Sequence, residues 1–233
     1  MSNIASSTTA RRNSYVEIAY DHLRDLILSG ELAPGNRVTV QPLTESLNLS
    51  PTPIRTALAA LERQGLLEIH EHRGYFVPKL GRDDILEIYE IREVIDSVAS
   101  RRVAQLEFRD DIVAALNTLL SEQREAVATG DIDRYRDLDV TFHRTIWENS
   151  GNHRLLSLAD NLLGQVRIGN NVSSRVPGRV QIALEEHALI ISALQSGSAK
   201  DAENATRTHV REAAHALADH LAAKHQGPVA TGD

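Results

Sequence analysis

The sequence predicts a mainly α protein in two parts: a small N-terminal helical unit finished by a β-hairpin, and a larger bundle of helices. Three observations carry this. From Asp83 onward the apolar residues recur at helical spacing, and no stretch alternates in the manner of a strand. Aromatic residues make up only 4% of the chain while Ala and Leu abound, a balance that favours helices over sheets. The stretch Ser50–Val77, SPTPIRTALAALERQGLLEIHEHRGYFV, changes from helical spacing to short extended pieces around His72-Arg73-Gly74.

Taken in order, residues 1–12 are small and polar, ending in Arg11-Arg12, and predict a disordered tail or an arm that touches a polyanion. Residues 13–79 form the first domain. Val16, Ala19, Leu23, Leu26 and Ile27 give Ser14–Ser29 an apolar face, and Gly30 closes that helix. Leu32-Ala33-Pro34-Gly35-Asn36 is a turn, followed by an extended piece from Arg37 to Val40. A short helix spans Pro42–Leu47, with a tight link at Asn48-Leu49-Ser50. The next helix starts where a hydroxyl residue and Thr52-Pro53 suit a cap and first turn. Its inner face is Ile54, Ala57, Leu58 and Leu61, and Gln64-Gly65 stops it. Two strands from Leu67 to Val77 then make a hairpin with Gly74 at its turn. Helix, short turn, helix and hairpin compose a winged helix-turn-helix, whose second helix enters a DNA major groove.

The run Leu43-x-x-x-Leu47-x-Leu49-Ser50-x-Thr52-Pro53-Ile54-Arg55-x-Ala57-Leu58-x-x-Leu61-Glu62-x-x-Gly65-Leu66, then Arg73-Gly74-x-Phe76-Val77, resembles the DNA-binding domain of the GntR family over about residues 14–79. That resemblance implies contacts to operator DNA from Gln41, Ser50, Thr52, Pro53 and Arg55, and from the wing tip Arg73-Gly74. Pro51 departs from the pattern, since the family commonly has a basic residue between the Ser and the Thr; the operator sequence therefore cannot be copied from relatives. The net charge of −7 does not oppose DNA binding. Residues 1–79 hold eight basic and eight acidic residues, so the whole excess of acid lies beyond them, and Ser46–Leu61 contains Arg55 and no acid.

Residues 82–226 form the second domain, a six-helix antiparallel bundle. Asp83-Asp84 suit the first turn of a helix that runs through Ile88, Ile91, Ile95, Val98 and Val103. Further helices cover about Asp110–Thr129, Ile132–Glu148, His153–Ile168, Arg179–Gln195 and Ala199–Lys224, separated by Gly130, Ser150-Gly151-Asn152, a loop over Asn170–Gly178, and Gly197. The tail 227–233 is expected to be disordered.

Three of these helices carry polar residues on their core faces. His187 interrupts the stripe of Val180, Ala183, Leu184, Ile190, Ile191 and Leu194, and His209 lies among Ala202, Ala205, Ala213 and Leu217. Asp139 and His143, one turn apart, adjoin Tyr135, Leu138, Phe142 and Ile146. Buried imidazoles and carboxylates require partners, and a divalent ion would satisfy all four together. Ordinary hydrogen-bonded core histidines and an i,i+4 Asp–His pair are the alternative. Trp147 and Tyr135 read as core residues.

Asp139-x-x-Phe142-His143, Ser150-Gly151-Asn152, Glu186-His187-x-x-Ile190-x-x-Ala193-Leu194, and Gly197 with His209 twelve residues later resemble the FCD effector domain of FadR-type GntR regulators, over about residues 83–224. Ser198 departs from the common Asp after that Gly. The resemblance implies a Zn, Ni or similar ion held by Asp139, His143, His187 and His209. Such an ion keeps a net positive charge and open positions for a carboxylate or hydroxycarboxylate effector. Arg92 matches a position where FCD relatives often place a ligand-facing arginine; the other reading is a surface ion pair with a neighbouring glutamate. The expectation is a transcription regulator, on resemblance a repressor, acting as a homodimer because one recognition helix reads too few base pairs.

A metalloenzyme is the rival from another class, although the sequence names no general base or oxyanion donor for it; a purely structural metal is a third reading. Cysteine is absent, which excludes disulfides and thiolate chemistry. The start MSNIASSTTARRNS has no signal-peptide core and no long apolar run follows, so a soluble, cytoplasmic protein without a membrane segment is expected.

Overall fold

The computed structural model describes residues 3–225, with side chains over 14–169 and 173–223. Its chain divides into two compact units, the first reaching to Lys79 and also taking in Leu163–Gln165, the second holding the remaining described residues from Leu80 onward.

The first unit contains α1 (Asn3–Ser29), β1 (Arg37–Val38), α2 (Val40–Leu47), α3 (Pro51–Arg63), β2 (Glu68–His70) and β3 (Gly74–Phe76). α1 runs back to Asn3 through the segment expected to be irregular; no Gly or Pro interrupts residues 3–29, so nothing ends the helix begun by the amphipathic part. The side chains of Arg11 and Arg12 lie outside the described residues, as does the tail 227–233.

α1 packs on α3, and Ala19, Leu23, Ile54, Ala57, Leu58 and Leu61 are fully excluded from solvent. The α2–α3 link works because Asn48 takes the left-handed conformation (φ 51°), which its short polar side chain tolerates. The extended piece expected after Pro34-Gly35 is a true strand. β1 joins the hairpin to give the antiparallel order β1-β3-β2, pairing Arg37 with Phe76 on one side while Glu68 pairs with Phe76 on the other. Gly74 has φ 92°, which only glycine adopts without strain.

The second unit holds the six expected helices, α4 (Arg82–Ala104), α5 (Arg109–Thr129), α6 (Ile132–Asn149), α7 (His153–Ser173), α8 (Arg179–Ser196) and α9 (Ala199–His225). Their ends follow local chemistry: the Asp84 carboxylate accepts from the Gly81 N–H at 2.8 Å, Asp131 accepts from Arg134 N–H, and Gly130 and Gly197 supply left-handed C-caps. α7 continues to Ser173, past the expected end at Ile168.

α4 packs along α9, and Ile85, Ile88 and Tyr89 meet Val166, Val210, Ala213 and Leu217 in one apolar cluster. Of the residues expected to line the core face of α4, Ile88, Ile95 and Val103 are buried and Ile91 is not. Ile91 is 53% exposed, and the face turned inward carries Tyr89, Arg92, Asp96, Ser97 and Ser100. Polar groups occupy the interior because they satisfy one another: Arg92 Nε donates to Asp96 Oδ2 at 3.3 Å, and Thr206 Oγ1 bonds Ser100 Oγ at 2.8 Å. Among the described residues no helix is long and apolar enough to cross a membrane.

Candidate metal centre and nucleic-acid face

His143 on α6, His187 on α8 and His209 on α9 are all buried, and each offers a ligand nitrogen within 4.8 Å of the others. Each ring is oriented through Nδ1. His143 Nδ1 lies 3.2 Å from Asp96 Oδ2, His187 Nδ1 3.0 Å from Gln123 Oε1, and His209 Nδ1 2.7 Å from Glu186 Oε2. With Nδ1 assigned as the donor to each oxygen, every Nε2 presents a lone pair, and these lone pairs converge. His143 Nε2 and His209 Nε2 stand 3.2 Å apart, and His187 Nε2 has no hydrogen-bond partner.

Two lone pairs so close repel. Moving a proton onto either Nε2 would charge a buried ring or turn a lone pair onto Asp96 or Glu186. Burial resists that charge: the His187 and His209 pKa values lie well below the ordinary histidine range, first from desolvation and then from neighbouring imidazoles, Arg92 and Arg179. A cation among the three nitrogens removes the conflict, and three imidazoles with a carboxylate suit Zn or Ni. Oriented Nδ1–H groups with free Nε2 atoms are also the arrangement that fixes imidazole ligands.

Asp139, one turn before His143, lies beside the three-histidine cluster and is the carboxylate that could complete it. Its Oδ1 is 3.6 Å from His187 Nε2, and the Tyr135 hydroxyl bonds to it. Asp139 also borders a small, partly open cavity, with about 20 Å³ available to the centres of water-sized molecules, whose wall includes Arg92, Tyr135, Arg179 and His209. Arg92 is 3% exposed and pairs with Asp96, which corrects the reading as a surface pair with a glutamate. Burial raises the Asp96 pKa, but Arg92, then His143 and Trp147, outweigh it and hold the carboxyl below its ordinary range. Asp96 therefore stays ionised, with Trp147 Nε1 donating to its other oxygen at 2.7 Å. The sequence reading missed Asp96, Gln123, Glu186 and Arg179. Asp96, four residues after Arg92, and Glu186, beside His187 in the quoted motif, had a legible signal.

A pH effect follows for protein stripped of metal. His187 and His209 have folded pKa values depressed below 6.5, so under pH 6.5 the unfolded chain binds protons that the folded chain does not. Stability is full above pH 6.5 and falls as the pH drops through the window below it, by about 1.4 kcal/mol per pH unit for each ring that remains neutral. Melting temperatures across pH 5–8 in chelator check this; a curve flat below 6.5 would contradict it.

On the first unit, Gln41, Ser50, Thr52, Arg55, Arg73 and Gly74 are all exposed. Thr52 and Arg55 share one stripe of α3 with Thr56, opposite the face that packs on α1. Arg55 has no ion pair among the described residues, and Arg73 lies over the Phe76 ring at 5.4 Å. Ser50 stands at the N-cap of α3 but makes no capping bond. The N3 position is Pro53, which has no N–H to donate, so the hydroxyl stays available. Pro53 itself is buried, which corrects its assignment as a DNA contact: it faces inward beside Ile54.

A winged helix-turn-helix whose α3 leaves Thr52, Arg55 and Thr56 exposed, carried in one chain with a helical bundle, defines the class of DNA-binding transcription regulators. Residues 16–77 match the family described as bacterial regulatory proteins, gntR family, and residues 87–212 match the FCD domain. The chain belongs to the GntR family of transcriptional regulators and carries an FCD domain. It is 27% identical over 192 residues to the HTH-type transcriptional regulator YdhC of Bacillus subtilis (strain 168), covering 82% of this chain and 84% of that protein. It is 26% identical over 193 residues to the HTH-type transcriptional repressor RspR of Escherichia coli (strain K12), covering 83% and 84%. The structure of E. coli McbR/YncC shares the fold, with a TM-score of 0.73 at 22% identity over 87% of this chain and 96% of that one.

Proposed function

We propose that the protein is a ligand-responsive repressor that binds operator DNA as a homodimer in the cytoplasm and senses a small organic acid at a metal centre in its bundle. The convergence of three Nε2 atoms, each with its Nδ1 already held, carries the sensor half of this reading. Asp139, His143, His187 and His209 would hold a Zn or Ni ion. Such an ion keeps a net charge of about +1 and open positions, which suit the oxygens of a carboxylate or hydroxycarboxylate. Arg92 lines the same cavity and adds positive charge. The relative named a repressor supports the sign of regulation. A homodimer supplies the two half-sites that selectivity requires. Acid binding that favours one arrangement of the dimer then changes operator affinity.

The test of the DNA half is Arg55→Ala on an operator recovered by sequencing DNA bound to the protein. Affinity is expected to fall by ~1–3 kcal/mol at fixed salt if Arg55 reads a base, with the melting temperature unmoved. Unchanged affinity would remove Arg55 from the interface.

A further inference from the structure

We propose that the His72 imidazole is a DNA-backbone contact of the hairpin, one that takes up a proton from solvent as it meets a phosphate. The proposal rests on operator binding by the first unit and is independent of any metal. His72 has φ 60°, a conformation that residues with a Cβ enter at a cost and for which glycine is the default. The Arg73 N–H donates to the His70 carbonyl at 3.0 Å, so His72 is the third residue of the tight turn between β2 and β3. Among the described residues the other non-glycine position of this kind is Asn48, whose conformation closes α2 and so has a structural reason. No such reason exists at His72. Its side chain is exposed, with no hydrogen bond or ion pair among the described residues. A costly backbone conformation under an exposed, unpartnered side chain is the pattern of a functional position.

The charges around the turn identify the ligand. Glu68 and Glu71 balance Arg73 and Arg37, whose guanidinium lies beside Gly74, so with neutral imidazoles the hairpin tip carries no net charge. A tip of zero charge gains little from a phosphate, and a proton on an imidazole is what makes it cationic. His70 is not that imidazole. Its Nε2 lies 2.8 Å from Glu68 Oε1 and its ring stacks on Phe76 at 4.5 Å, so a proton there is shared with Glu68. Arg73, over the same Phe76 ring at 5.4 Å, and Glu71 are the remaining charged groups of the turn. A histidine changes charge between pH 5 and 8, and an adjacent anion favours the charged form. DNA affinity therefore rises as the pH falls. A phosphate contact carries no sequence information, so the rise is the same on any duplex.

The test is fluorescence anisotropy of the full-length protein on the recovered operator and on an unrelated duplex of equal length, at pH 7.5 and 6.0 and fixed salt. Acidification is expected to tighten binding of the parent protein by about three- to ten-fold per wing, on both duplexes. The slope of log affinity against log salt should steepen by about 0.9 per wing, because each imidazolium at a phosphate releases one more counterion. His72→Asn places there a residue that tolerates positive φ and takes up no proton, and its affinities at the two pH values should agree within about two-fold. His72→Gly provides the residue that this φ favours, so the turn forms, and it should lose the acid response equally. A parent response below about two-fold, or a response kept in His72→Asn or His72→Gly, overturns the proposal. Arg55→Ala separates the two levels, since it should weaken operator binding at both pH values and keep the acid response. A parent protein that binds neither duplex defeats the operator reading and this one with it.

Discussion

The parent protein, reconstituted with Zn or Ni, is expected to hold roughly one ion per chain, and His187→Ala and His209→Ala to lose most of it. The three imidazoles come from α6, α8 and α9, so an ion among them ties those helices together. Binding to the folded state alone stabilises by mass action, about 2.7 kcal/mol at a free metal concentration one hundred times Kd. For a bundle of this size that corresponds to a melting temperature higher by roughly 5–10 °C, lost on chelation. Chelation is also expected to abolish any response to an acid effector while operator binding survives, because Thr52, Arg55 and Arg73 belong to the other unit. Equal metal content in the parent and both variants, or none in any of them, would return these histidines to the ranks of hydrogen-bonded core residues.

Asp96→Ala should cost about 3–5 kcal/mol of bundle stability, the magnitude of a broken buried pair. The change leaves Arg92 charged and buried, Trp147 Nε1 without an acceptor, and His143 Nδ1 without the oxygen that sets its tautomer. Metal affinity is expected to fall 10–100-fold with it, because orienting partners of imidazole ligands carry that much. The double variant Arg92→Met with Asp96→Leu should recover the part of the loss due to the unpaired Arg92, but neither the Trp147 and His143 hydrogen bonds nor the metal affinity. Denaturant titration and metal competition read the two effects separately. A loss under 1 kcal/mol for Asp96→Ala, the range of exposed pairs, would show that the Arg92–Asp96 pair is not the buried one described.

The sequence by itself determined the two units, the six helices of the bundle and the three histidines that the fold brings together. Helix existence follows from apolar spacing, and helix ends from glycines and caps, both local properties. His187 and His209 were legible because each interrupts an apolar stripe on its own helix, and Asp139 and His143 because they adjoin one, one turn apart. Tertiary structure alone decided what surrounds them. Gln123 lies 64 residues from His187, Trp147 lies 51 from Asp96, and Glu186 lies 23 from His209; no periodicity within one helix announces such partners. It also decided which residues join Ile88, Ile95 and Val103 on the buried face of α4. Apolar spacing favoured Ile91, but Arg92 and Asp96 are buried instead, with Ile91 and Val94 left exposed. A polar pair enters a core when other helices supply the hydrogen bonds that repay its desolvation, and those helices are known only after the chain has folded. Pro53 and Arg179 follow the same physics. Which side of a residue meets solvent, and which of its donors find acceptors, are set by neighbours distant in sequence.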